Sequence, residues 1–257
     1  MRLLLPTDVP FDTDPLDDEG LAQVYRYPDG TGTERSWLRA NFVSTLDGAA
    51  TGPDGRSGTI NTHADRQVFA LLRALSDVIV VGAGTARVEG YRAPVTSSRW
   101  RWVREQAGQT GQPAMLVVTR SGDVPPLLAQ EREQAGDVLL LTSRSAPSEA
   151  VDLARSSLGE DRVLLCGDDS VDFHVARQEL ADRGLRRLLC EGGPRLMHDL
   201  TAQDAVDELC LTITPSLVAG EHPRILAGPE LWADLVPHTL IEADGSLIGR
   251  WVRPDAL

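Results

Sequence analysis

The sequence predicts an α/β protein of three layers, α/β/α, around a mixed and mostly parallel central sheet that ends in antiparallel strands. Three observations predict it. Short apolar, β-branched runs alternate with amphipathic segments through the middle of the chain. Several of these runs, among them "DVIVVG", "AMLVVT" and "DVLLLT", are continuously apolar, the pattern of strands covered on both faces. From "DELCLTITP" onward, strand-like runs follow one another with little helix between them. The last two, "HTLIEA" and "SLIGRWV", flank Asp244-Gly245, a hairpin signal.

Taken in order, residues 1–36 read as a solvated acidic arm, because Asp8, Asp12, Asp14, Asp17, Asp18 and Glu19 crowd one short segment. Residues 37–257 form one domain. It opens with the strand "WLRANFVST". A helix starts near Thr62, with Asp65 three residues on as a capping pair, and buries Val68, Leu71, Leu72 and Leu75. The strand "DVIVVG" follows. Residues 92–112 and 120–136 read as loops around the strand "AMLVVT". After "DVLLLT" and "RVLLC", a helix starts near Asp172, uses Phe173, Ala176 and Leu180, and stops at Gly184. The strand "RRLLC" then leads into a third helix at "GPRLMHDL".

Composition excludes several functions. The formal net charge is −13, opposite in sign to most nucleic-acid binders. No stretch approaches the roughly 20 apolar residues of a membrane helix, and the N-terminus is too soon acidic for a secretory signal, so a cytoplasmic location is expected. All 25 basic residues are arginine. A lysine Schiff base, a pyridoxal-phosphate anchor and a Walker lysine are thereby ruled out. Any anion is held by arginine or by backbone N–H groups. Cys166, Cys190 and Cys210 show no CxxC or Cys/His spacing and read as buried thiols, so no metal site is expected.

Two strands end in glycine corners. "VIVVGAGTARVEG" carries Gly82 and Gly84 before a short helix. Arg87 stands where a Rossmann fingerprint would place its third glycine, so the corner is either a plain tight turn or a nucleotide contact of another kind. "LLCEGGPRLMHDL" carries Gly192 and Gly193, which would let a phosphate approach the backbone at a helix N-terminus. Pro194 suits the first helical turn. A third strand ends in Thr119, Arg120 and Ser121, a set suited to a ribose 2′-phosphate or to an ordinary solvated strand end. Together the three corners suggest a diphosphate-bearing cofactor lying across the strand ends. Early in the chain, Asp47 follows an apolar run. It would either meet the N–H edge of a pyrimidine or pteridine or form part of a plain Asp-Gly turn.

"STLDGAA", "RSGTIN", "LLRALSDVIVVGAGTARVE", "LVVTRS", "LLCEGGPRLM" and "DELCLTITPSLVAG" resemble, in order and spacing, the reductase domain of bacterial bifunctional riboflavin-biosynthesis proteins, over roughly residues 37–252. The resemblance implies a dihydrofolate reductase-like fold, a homodimer, and NADPH-dependent reduction of 5-amino-6-(5-phosphoribosylamino)uracil. It implies substrate contacts at Asp47, Ser57, Arg73, Arg92 and Glu191. Cofactor contacts are implied at Val43, Thr59, Thr85, Glu89 and Thr119, and from Gly193 through Pro194 and Arg195 to Leu196, with Gly192 shaping the turn. Gly82, Gly84, Arg120 and Ser121 join the cofactor set from the corners described above. Asp47 and Glu191 are the catalytic candidates, holding the substrate and relaying a proton, while Arg73 pairs with a substrate anion. The family's deaminase signatures, H-x-E and P-C-x-x-C, do not occur, which implies a stand-alone reductase. Ala49 stands where the family often has a basic residue, and Glu89-Gly90 where it often has an acidic pair; both touch the substrate side. Two alternatives remain: a dihydrofolate or other pterin reductase on the same fold, and an NADPH-binding protein without reductase activity. The partners expected are a small pyrimidine or pterin and a second copy of the chain, with neither nucleic acid nor membrane.

Overall fold

A computed structural model describes residues 1–5, 16–109 and 111–256. Asp8, Asp12 and Asp14 of the acidic run lie outside the described residues. In chain order the elements are β1 (Arg2–Leu5), α1 (Asp18–Val24), β2 (Trp37–Thr45), α2 (His63–Leu75), β3 (Val78–Gly82), α3 (Ala83–Glu89), α4 (Arg101–Gln106), β4 (Ala114–Val118), β5 (Val138–Thr142), α5 (Ser148–Leu158), β6 (Val163–Leu165), α6 (Phe173–Asp182), β7 (Arg187–Cys190), α7 (Pro194–Ala202), β8 (Glu208–Thr214), β9 (Val236–Ala243) and β10 (Ser246–Val252).

All the strands join one sheet in the order β1-β9-β10-β8-β2-β7-β3-β4-β5-β6. From β8 to β6 the neighbours run parallel, and β10, β9 and β1 add antiparallel pairings at the other end. The sheet is mixed and mostly parallel, as expected. After β3 the chain steps outward through β4, β5 and β6, then returns to insert β7 between β2 and β3. Such reversals leave a crevice at the carboxyl ends of the strands.

Strand residues alternate between two cores. Ile79, Val81, Met115 and Val117 face α2, α4 and α5, while Val78, Val80, Leu116 and Leu188 face α6 and α7. Each fully buried aliphatic side chain contributes about 1.5–3 kcal/mol, so the doubly covered middle strands are the firmest part of the sheet. The predicted helix starts are found. The Thr62 hydroxyl accepts the Asp65 N–H (3.3 Å), Asp172 caps α6 through His174 and Val175, and Pro194 opens α7. Asp244 and Gly245 both have positive φ and join β9 to β10. All three cysteines are buried and free, and burial pushes the Cys190 thiol up to about 12.

Two expectations are corrected. Where it is described, the N-terminal segment is not a solvated arm. β1 pairs antiparallel with β9, and Leu16, Leu21, Val24, Tyr25 and Tyr27 are buried. The cause is a buried ion cluster. Arg39 and Arg250 both bind Glu208, at 2.9 and 2.6 Å, and donate to the Tyr25 and Val24 carbonyls at the end of α1. Because β1 covers β9, the antiparallel end does not leave β9 as the exposed edge. Residues 92–112 are not wholly loop either. They contain α4, anchored by buried Trp100 and Val103, whose apolar side chains the surrounding charges masked.

Candidate active site

β2, β7, β3 and β4 are consecutive in the sheet, so the corners that follow them open side by side. They border one cleft of about 1570 Å³. That exceeds the ~300–1,000 Å³ of a typical single-ligand pocket and leaves room for two ligands.

At one end lie the glycine corners. The Gly82 N–H donates to the Gly192 carbonyl (2.7 Å), which ties the β3 corner to the β7 corner. Gly192 has φ of +84°, and a Cβ there would stand 2.9 Å from the Phe42 ring. A Cβ on Gly193 would overlap the Thr85 hydroxyl, whereas one on Gly84 would meet no protein atom within 4 Å and would enter open space. Gly193 supplies no side-chain cap to α7, so the first N–H groups of that helix face the cleft without one. Beyond them sit Thr119, Arg120 and Ser121, joined by Arg87 from α3. The Thr119 and Ser121 hydroxyls are 3.2 Å apart, and Ser121 donates to Asp123.

At the other end, Asp65, Phe69 and Arg73 form an i, i+4, i+8 stripe on α2 that faces the cleft. Arg73 makes a two-pronged pair with Glu191 (2.7 and 2.6 Å). Its guanidinium lies 4.4 Å from the Phe69 ring centre and 5.3 Å from that of Tyr91. The Tyr91 hydroxyl also donates to Glu191 (2.7 Å). The Glu191 side chain is 1% exposed and that of Arg73 is 29%, so Glu191 anchors the guanidinium while Arg73 meets the cleft. Asp65 is 3% exposed, and burial raises its carboxyl above the usual aspartate range, with the Thr212 hydroxyl pulling the other way.

Most residues singled out in the sequence line this cleft: Val43, Ser57, Arg73, Gly82, Gly84, Thr85, Glu89, Arg92, Thr119, Arg120, Ser121, Glu191 and Gly193 through Leu196. Glu89 takes both the N–H and the hydroxyl of Ser57 (2.9 and 3.0 Å), so each of these two orients the other. Gly192 lies just behind the lining as the hinge of its corner.

Asp47 and Thr59 do not line the cleft. Asp47 is exposed, and its carboxylate accepts the Thr45 hydroxyl and the N–H groups of Ala219 and Val218 (2.8 and 3.1 Å), which hold it below the usual aspartate range. The Asp-Gly turn turned this carboxylate sideways. Thr59 points back to Asp54 (2.8 Å). Asp65, Phe69, Arg87 and Tyr91 were not foreseen. The four-residue spacing of Asp65, Phe69 and Arg73 was the available signal for the first two.

Fold and cleft define an α/β domain that takes small molecules at its strand ends, with room for two of them side by side. The family model for the RibD C-terminal domain matches residues 36–244, and the chain belongs to that family. It is 30% identical over 195 residues to the 2,5-diamino-6-ribosylamino-4(3H)-pyrimidinone 5′-phosphate reductase of Archaeoglobus fulgidus, covering 76% of this chain and 87% of the relative. The enzyme of the same name from Methanothermobacter thermautotrophicus is 27% identical, with coverage of 76% and 85%. Among solved structures, a pyrimidine reductase-like protein from Corynebacterium diphtheriae superposes with a TM-score of 0.77 at 24% identity, covering 90% of this chain and 97% of that one. The riboflavin biosynthesis reductase of Saccharomyces cerevisiae gives 0.58 at 14% identity, with the same coverage. These two share the fold. The family and the curated relatives put the chain among the pyrimidine reductases of riboflavin biosynthesis.

Proposed function

We propose that the chain is an NADPH-dependent reductase of a ribosylamino-pyrimidine 5′-phosphate. The observation that carries this reading is the meeting of both glycine corners and the Thr119-Arg120-Ser121 tip on one cleft that also holds Arg73, Glu191 and Asp65. The residues fit the dinucleotide. Gly84 leaves open space beside the cleft, α7 offers uncapped N–H groups to a diphosphate, and Arg120 and Arg87 flank hydroxyls where a 2′-phosphate would sit.

Bound NADPH supplies the hydride. The chain itself supplies alignment and charge. Glu191 and Tyr91 fix the Arg73 guanidinium against two rings, so its charge faces a substrate anion at little ordering cost. Asp65, raised by burial, retains a proton to higher pH than an exposed aspartate and is placed to donate it to the reduced substrate.

Asp65 also favours a second reading. A buried carboxylate on the cleft wall matches the N–H edge of a pteridine as well as that of a pyrimidine, which keeps a pterin reductase open. A spectrophotometric assay of NADPH oxidation decides among the readings. The test compounds are 2,5-diamino-6-ribosylamino-4(3H)-pyrimidinone 5′-phosphate, 5-amino-6-(5-phosphoribosylamino)uracil and dihydrofolate. Turnover of either ribotide supports the first reading, turnover of dihydrofolate alone the second. Silence with all three alongside tight NADPH binding would make the chain a binding protein.

The reading carries with it a cytoplasmic location and a homodimer. Leu209, Leu211, Ile213, Leu240, Leu247 and Trp251 share one sheet face of β8, β10 and β9 and stay partly exposed, which suits pairing with a second copy. Light scattering at micromolar concentration tests it, and a monomeric mass would refute it.

A further inference from the structure

Two loops leave the carboxyl ends of the neighbouring strands β2 and β8 and bond to each other along their length. The Leu46 N–H donates to the Ser216 carbonyl (2.9 Å), and the Ala50 N–H to the Pro223 carbonyl (2.8 Å). The Thr51 hydroxyl and His222 Nδ1 are 3.2 Å apart. Asp47 sits at the centre of this seam, with its carboxylate on the N–H groups of Val218 and Ala219. Ala219 holds φ of +57°, a conformation uncommon for a residue other than glycine, at the point where its N–H meets Asp47.

The second loop then crosses the cleft. Pro215 to Leu235 contains no helix or strand; stretches of that length inside compact domains are usually either functional loops or linkers, and this one is packed on the cleft. Pro223, Ala227, Gly228 and Pro229 line the cleft. The Ala227 N–H donates to the Pro194 carbonyl (3.1 Å), and the Pro229 carbonyl lies 3.0 Å from His198 Nε2. Residues 216–229 are therefore a strap, fixed at one end to the β2 loop and at the other to the first turns of α7.

We propose that Asp47 is the latch of this strap. It is a positioning residue that holds 216–229 across the cleft and so retains a dinucleotide seated at α7, with no contact to the reacting atoms. The inference rests on the cofactor reading of the cleft.

The test combines hydrogen exchange by mass spectrometry with stopped-flow release of NADPH, on wild type and Asp47→Asn. In the wild type, NADPH is expected to slow exchange of the 216–229 amides. In D47N, exchange in 216–223 speeds up and NADPH leaves measurably faster, because a neutral amide oxygen accepts the Val218 and Ala219 N–H groups more weakly than the carboxylate. The KM for NADPH rises more than kcat falls. If the wild type takes up NADPH but the strap amides do not respond to it, the inference is overturned, whatever the folding of D47N. An unchanged release rate in a folded D47N overturns it equally. Absence of NADPH uptake by the wild type is read in the same titration and refutes the cofactor reading instead. In that case faster 216–223 exchange in D47N would still support the latch, and unchanged exchange would remove it.

Discussion

The backbone N–H of Gly82 donates to the carbonyl of Gly192 at 2.7 Å, although the two residues end different strands and stand far apart in the chain. One bond thus joins the two glycine corners into a single floor. Gly193 packs against Thr85 on one side of it, and Gly84 faces open space on the other.

Gly84 separates folding from binding. Gly84→Ala adds a methyl group that meets no protein atom, and alanine is favoured over glycine in a helix by roughly 0.5–1 kcal/mol. The variant is predicted to melt no lower than wild type while losing NADPH affinity by about tenfold or more. A thermal melt and a calorimetric titration of one preparation check both halves.

Arg120 is predicted to carry the preference for the phosphorylated cofactor. Removing a charge-assisted bond of about 1.5–3 kcal/mol corresponds to roughly 10- to 100-fold in affinity. Arg120→Gln should therefore weaken NADPH by that factor and leave NADH nearly unaffected. Equal losses for both cofactors would assign the 2′-phosphate elsewhere.

Asp65 makes two opposed predictions. Its carboxyl is raised in the folded state, so it binds its proton more tightly folded than unfolded. Stability is then greatest below the unfolded value and falls as pH climbs through that window. Asp65→Asn should raise stability at neutral pH, where the ionised carboxylate is buried at a cost, and lower kcat by about 100-fold or more. It should also remove the fall in kcat predicted for the wild type as Asp65 loses its proton. Denaturant melts and a kcat–pH profile report the two effects.

The Arg39–Glu208–Arg250 cluster predicts sensitivity to acid. Burial alone would raise the Glu208 carboxyl, but Arg250 and Arg39 outweigh it and hold it well below its ordinary value. Its contribution to stability is present above the unfolded value of about 4.3 and is lost as pH falls. Glu208→Gln leaves two buried guanidiniums without a counter-charge and should cost about 3–5 kcal/mol at pH 7. The difference from wild type should shrink towards acid pH, and α1 should become the first segment open to protease.

What the sequence disclosed was local. Thr62, Asp172 and Pro194 start helices through contacts within a turn, and Asp244-Gly245 closes a hairpin by its own backbone preference. The glycine corners were legible for the same reason. The N-terminal segment reads as solvated because Asp17, Asp18 and Glu19 dominate its composition, while its burial depends on Glu208 and Arg250 far along the chain. Asp65 was seen only as a cap, since its backbone N–H does meet Thr62; its side chain belongs to the cleft stripe with Phe69 and Arg73. Asp47 has the residue type of a catalytic acid, but the Val218 and Ala219 amides, supplied by the loop after β8, take its carboxylate.

The most direct measurement is a calorimetric titration of the purified chain with NADPH and with NADH. Convergence of the three strand-end corners predicts one NADPH site per chain, bound more tightly than NADH, and weakened in both Gly84→Ala and Arg120→Gln. No heat of binding with either dinucleotide, or NADPH binding that both variants leave unchanged, would contradict it.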